Sequence, residues 1–118
     1  MIPQGARPRI LAQGQLPTSS AALYTAPTPN TGAVITYVAI YNTSALTIQA
    51  VAISVKQSGQ TARQVYANAL ATLTSSTPLG GSGTSGTIML GPGDAIYGST
   101  TTDSTADYIV CGFEIPGT

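Results

Sequence analysis

Apolar and polar residues alternate with a period of two along much of this chain, the pattern of strands that pack on one face. Residues 87–115 show it best. Two apolar runs there flank a Gly91-Pro92-Gly93-Asp94 turn. Proline presets φ at the second position of a type II turn, and glycine supplies the φ > 0 that the third requires. Ile88 and Leu90 should therefore end one strand, and Ala95, Ile96 and Tyr97 begin the next. A polar loop at 99–105 leads to a last strand at 107–115. In it Ile109, Cys111, Phe113 and Ile115 alternate with Tyr108, Val110, Gly112 and Glu114, and the first set is the expected apolar face.

Upstream, residues 20–26 read as a strand ended by the turn-rich 27–32. Residues 33–42 (AVITYVAIYN) are the most β-prone run. Val34, Val38 and Ile40 fall on one face; Ile35, Tyr37, Ala39 and Tyr41 fall on the other. Both faces are apolar, so something must cover each of them. A polar turn at 42–45 and a second long run at 46–57 predict a hairpin with Val51, Ile53 and Val55 on one side. Residues 61–75 fit helical spacing through Ala62, Val65, Tyr66, Ala69, Leu70 and Leu73. They also fit two short strands at 63–67 and 70–74, which the flanking strands favour. Residues 77–86 read as a loop.

About eight strands result. The expectation is an all-β, single-domain β-sandwich of jelly-roll type over residues 18–118. Residues 1–17 carry Pro3, Pro8 and Pro17 and predict an extended arm, with room for a short strand at 10–13. Arg7 and Arg9, half of the chain's four basic residues, are its candidate partner-binding anchors, suited to carboxylates on a neighbouring subunit.

Composition narrows the function. The 118 residues suffice for one domain with a true core. Only 7% are charged and the net charge is zero, against a usual charged share of roughly 25%. That gives no electrostatic case for nucleic acid or an anionic membrane, and a surface so poor in charge favours assembly. The chain has no histidine, no tryptophan and one cysteine. A histidine-based triad, a histidine metal site and an internal disulfide are therefore excluded. No apolar segment of signal-peptide or membrane-span type is visible, so synthesis in the cytoplasm is expected.

Individual residues point the same way. Cys111 lacks the cationic surroundings of a reactive thiolate and reads as buried and inert. Asp94, Asp103, Asp107 and Glu114 match no metal-ligand spacing, so neither a metal nor a cofactor is expected. Tyr37, Tyr41 and Tyr108 lie opposite the expected core positions of their strands. They are the candidate subunit-interface residues.

The succession of segments then carries a resemblance: LAQGQLPTSSAALYTAP, VAIYNTSALTIQAVAISV, SGQTARQVY and LGPGDAIYGSTTTDSTADYIVCGFEI. It resembles small β-sandwich virion proteins of tailed bacteriophages, capsid decoration (cement) proteins and related head or tail accessory subunits among them. The likeness runs over residues 10–114. Its Leu90, Gly93, Asp94, Ile96 pattern also builds turns in unrelated jelly rolls. The resemblance implies a non-enzymatic structural protein of the virion, a dimer or trimer, with the major capsid protein or other virion subunits as partners. A carbohydrate- or receptor-binding module on a tail or fibre is the alternative, because jelly rolls also serve as lectins.

Overall fold

The computed structural model describes residues 9–27, 32–80, 86–100 and 106–115; these contain nine strands and no helix. In chain order they are β1 (Arg9–Gln15), β2 (Ala21–Thr25), β3 (Gly32–Asn42), β4 (Gln49–Lys56), β5 (Arg63–Leu70), β6 (Ser75–Leu79), β7 (Ile88–Leu90), β8 (Ala95–Thr100) and β9 (Ala106–Ile115). They form two antiparallel sheets in a β-sandwich-like arrangement. A five-stranded sheet has the order β1-β9-β3-β6, with β7 also pairing β3, and a four-stranded sheet has the order β2-β8-β4-β5. The pairings are nested. β1 meets β9, β2 meets β8, β3 meets β6 and β7, and β4 meets β5, as if one long hairpin had been rolled up.

The core lies between the sheets. Ile35, Val38, Ile40 and Val110 come from the five-stranded sheet and Leu23, Val51, Ile53, Leu70 and Ile96 from the other. Each fully buried aliphatic side chain here stabilises the fold by about 1.5–3 kcal/mol relative to exposure. Leu16, just after β1, seals one edge; its N–H donates to the Ala106 carbonyl at 2.8 Å.

The 91–94 turn forms as its sequence predicts. Gly93 has φ +85°, and the Asp94 N–H donates to the Gly91 carbonyl at 3.0 Å. Asp94 braces it: its carboxylate accepts from the N–H groups of Gly91 and Ser58 at 2.9 and 2.8 Å. The strands it joins, β7 and β8, belong to different sheets.

Several expectations are corrected. The 33–42 and 46–57 runs are strands, but not a hairpin, because β3 and β4 lie in opposite sheets. The connection is a corner built on buried Asn42. Its Nδ2 donates to the carbonyls of Thr47, Leu70 and Ala71 at 2.9, 3.0 and 3.2 Å, and its Oδ1 accepts from the Ser44 N–H at 2.9 Å. These bonds tie the 43–48 loop to the end of β5 and leave no room for a tight reversal.

Strict alternation in β3 fails at a bulge between Ile35 and Tyr37 in the pairing with β9. Ala33, Ile35, Val38, Ile40 and Asn42 point inward as a result, and Val34, Tyr37, Ala39 and Tyr41 point outward. In β9 the expected faces are exchanged. Ala106, Tyr108, Val110 and Gly112 face the core, and Ile109, Cys111 and Phe113 face out. Hydrophobicity alone could not choose between two apolar faces. Close packing could: a Cβ on Gly112 would meet the Val34 carbonyl oxygen at 2.0 Å, so a tight approach to β3 requires glycine there.

Residues 63–70 form the single strand β5, with no helix and no break at Asn68. Part of the expected 77–86 loop is strand β6, where Pro78 sits in an edge strand that tolerates a missing N–H donor. Of the expected arm, Arg9–Gln15 is an integral strand paired with β9. Arg7 and Asp103 lie outside the described residues.

Candidate functional site

An antiparallel sheet usually buries one face and shows water a polar one. The five-stranded sheet does not. Its outer face carries a cluster of large apolar side chains, bordered at one end by Gln13, Gln15, Asp107 and Ser75, and the register places the residues in rows. Met89, Val34 and Phe113 form one row, Tyr37, Cys111 and Ile10 the next. Ala39, Ile109 and Gln13 follow, and Tyr41, Asp107 and Gln15 make the last. Met89 is 75% exposed, Ile10 52%, Tyr41 41% and Tyr37 38%. Asp107 is the one charge in these rows.

Of the three tyrosines predicted to face a partner, Tyr37 and Tyr41 stand on this surface. Tyr108 does not, because the β9 face is exchanged; it packs against the core beside Gly14. Burial pushes its phenol above the ordinary value near 10. Cys111 is a free, half-buried thiol in the middle of the outer face, not a buried core residue. Its neighbours in register, Tyr37 and Ile10, carry no charge.

Arg9 finds its carboxylate within its own chain, where it pairs with Glu114. The other Glu114 oxygen accepts from the Tyr24 hydroxyl at 2.6 Å, which links β9 of one sheet to β2 of the other. Burial first, then the hydrogen bond to Glu114 and its charge, push the Tyr24 phenol well above its ordinary value; Arg9 offsets part of this. The group is a structural clamp between the sheets.

The remaining polar features offer little chemistry. An open cavity of about 380 Å³ is lined by Val55, Gln57, Gln60, Thr61, Arg63 and Met89 around Asp94. Both Asp94 oxygens are committed to backbone N–H groups. Within the core, the Thr100 hydroxyl donates to Gln49 Oε1 at 2.6 Å, while Gln49 Nε2 is buried with no partner among the described residues. The described residues contain no group of three or more Cys, Asp or Glu placed to hold a metal ion, and no helix long and apolar enough to cross a membrane. Leu46, Ile48 and Leu73 are exposed on the two loops that Asn42 joins.

Sequence reasoning found half of the apolar face. It required a cover for the second side of β3 and named Tyr37 and Tyr41. It missed Ile109 and Phe113 by assigning them to the core, and it missed Met89 and Ile10, whose only signal was their register beside β3 and β9. No protein-family model, curated protein or solved structure matches this chain.

Proposed function

We propose that this protein is a non-enzymatic structural subunit of a tailed-phage virion, in the first place a capsid decoration protein, and that its sandwich is a jelly roll. The observation that carries the reading is the outer face of the five-stranded sheet, on which Met89, Ile10, Tyr37 and Tyr41 are exposed. Such a face is stable in water only at a cost, and covering it with another protein surface recovers about 25 cal/mol per Å² of apolar area. The nested pairing supports the jelly-roll reading, with β6 and β7 together filling the lane that one strand takes in an eight-stranded roll. The sequence resemblance supports the placement in a virion.

The mechanism is mechanical. A subunit that binds across junctions of the assembled head, and not to free capsid protein, stabilises the assembled state by linkage. Several copies bound together multiply weak contacts through avidity. The glycan-binding alternative has thinner support, because the carboxylate in the open cavity is already occupied by the turn it braces.

The test is co-sedimentation of the purified protein with empty, undecorated heads of the phage whose virion it is proposed to join. Saturable binding at a fixed ratio is expected. No binding at any concentration overturns the decoration role, and binding to cell-surface glycans in place of heads moves the protein to the tail or fibre.

A further inference from the structure

Large and small side chains are arranged as a checkerboard on the two central lanes of the apolar face. Along β3 the outward residues paired in register are Val34, Tyr37, Ala39 and Tyr41, with half-buried Thr36 in the bulge beside Tyr37; opposite them along β9 stand Phe113, Cys111, Ile109 and Asp107. Each row thus pairs a larger residue with a smaller one, and the larger alternates between strands: Phe113 over Val34, Tyr37 over Cys111, Ile109 over Ala39, Tyr41 over Asp107.

From this pattern we propose that the face is a self-docking surface, closed by a second copy of the chain about a two-fold axis. The axis lies in the interface, parallel to the strands and between β3 and β9. Such an axis exchanges the two lanes at constant height, so β3 of one copy lies over β9 of the other. Every large residue then lands on its smaller row-mate in the partner. Tyr37 covers the partner's Cys111, Ile109 covers the partner's Ala39, and Phe113 covers the partner's Val34. The Tyr41 hydroxyl donates to the partner's Asp107, satisfying the one charge in the rows. All contacts occur twice, as an isologous interface requires. An unrelated protein would account for an apolar face; it would not account for rows that match their own two-fold image.

Size and charge agree. Four lanes about 4.8 Å apart and strands of about ten residues at about 3.3 Å each give a face of about 600 Å² per copy. Two such faces bury about 1,200 Å², the lower end of stable, specific interfaces. A net charge of zero puts no repulsion between copies.

The inference identifies the partner at the face on which the functional proposal rests, and it is tested on the purified chain alone. Light scattering and sedimentation over a concentration series should show a dimer. The hollow over Ala39 is the weak point: Ala39→Ile leaves no room for the partner's Ile109, so self-association should fall about tenfold or more. Ile109→Ala should weaken it by a similar factor through lost contact. The double variant exchanges large and small and should restore association to within about fivefold of the original. Tyr41→Phe, at an exposed position that leaves folding intact, should weaken association about tenfold by stranding Asp107 without a donor. A monomer at all concentrations overturns the proposal. So does a dimer indifferent to Tyr41→Phe, or a double variant no better than the worse single one while its melting is normal. If the chain is monomeric and Ala39→Ile abolishes head binding, self-docking fails and the assembly role stands; if head binding is also absent, both fall.

Discussion

The two sheets share one core and present opposite outer faces. The four-stranded sheet shows water small residues: Ala50 pairs with Ala69, and Ala52 lies between Ala67 and Ser99. Its larger exposed side chains are Val65, on the edge strand β5, and Tyr97, which lies beneath Lys56, whose ammonium is 5.6 Å from the ring centre. The five-stranded sheet shows tyrosine, isoleucine, phenylalanine and methionine. Alanine and serine on a strand lose little by meeting water, whereas bulky apolar side chains lose much. The difference is the one that the proposed self-docking requires: a finished surface on one sheet and an apolar face left to be covered on the other.

The comparison can be broken in stability first. Gly112→Ala in the five-stranded sheet pushes a methyl group onto backbone, the Val34 carbonyl, and should cost about 3 kcal/mol or more in urea unfolding. Gly98→Ala in the four-stranded sheet meets side-chain carbons of Leu23 and Leu16, the nearest of each at 2.6 and 3.0 Å, and no backbone atom among its nearest contacts. It should cost about 1 kcal/mol, because those leucines can shift. Equal losses would show that the two sheets are equally tight against their neighbours.

The corners give a second contrast. Asn42→Ala leaves three carbonyls and one N–H without their amide partner and should destabilise by about 2–4 kcal/mol. Gln49→Leu combined with Thr100→Val removes a half-satisfied pair and should be near neutral in the same unfolding measurement. A large loss from the double variant would mean that the Gln49 amide has a partner in the folded protein.

Association should separate the outer faces. Tyr37→Asp should reduce self-association about 100-fold in sedimentation, since a charge is buried without a partner. Ala52→Asp, on the finished face, should leave it unchanged. The smallest expected effect is at alkaline pH. Because the Tyr24 phenol titrates higher folded than unfolded, its contribution is complete below about pH 10 and is lost as pH rises beyond that value. Tyr24→Phe should therefore flatten part of the stability loss above pH 10, while Tyr108, also raised, keeps the remainder.

Most strands were legible in sequence because turn chemistry and β-branched runs are local signals; β3, β4, β8 and the 91–94 turn are examples. Which face each strand buries was legible in β4, where Val51, Ile53 and Val55 stand against Ala, Ser and Lys. It was not legible in β9, where both faces are apolar and the deciding fact is the approach of Gly112 to the backbone of β3. Nor could sequence separation reveal that β3 and β4 part company. That depends on one buried asparagine bonding to residues 28 and 29 positions away. The apolar face was half visible for the same reason. Its rows exist only once the register of β1, β9, β3 and β7 is known.

Cys111 reports on the central claim without any substitution. It lies mid-face, in register with Tyr37 and Ile10, and it is the chain's one thiol. The direct measurement is its alkylation rate in the unmodified protein across a dilution series, with the mass followed in parallel. A slow rate at high concentration that rises as the dimer dissociates is the expected result. A fast, concentration-independent rate in a protein that remains monomeric would contradict an interface on this face.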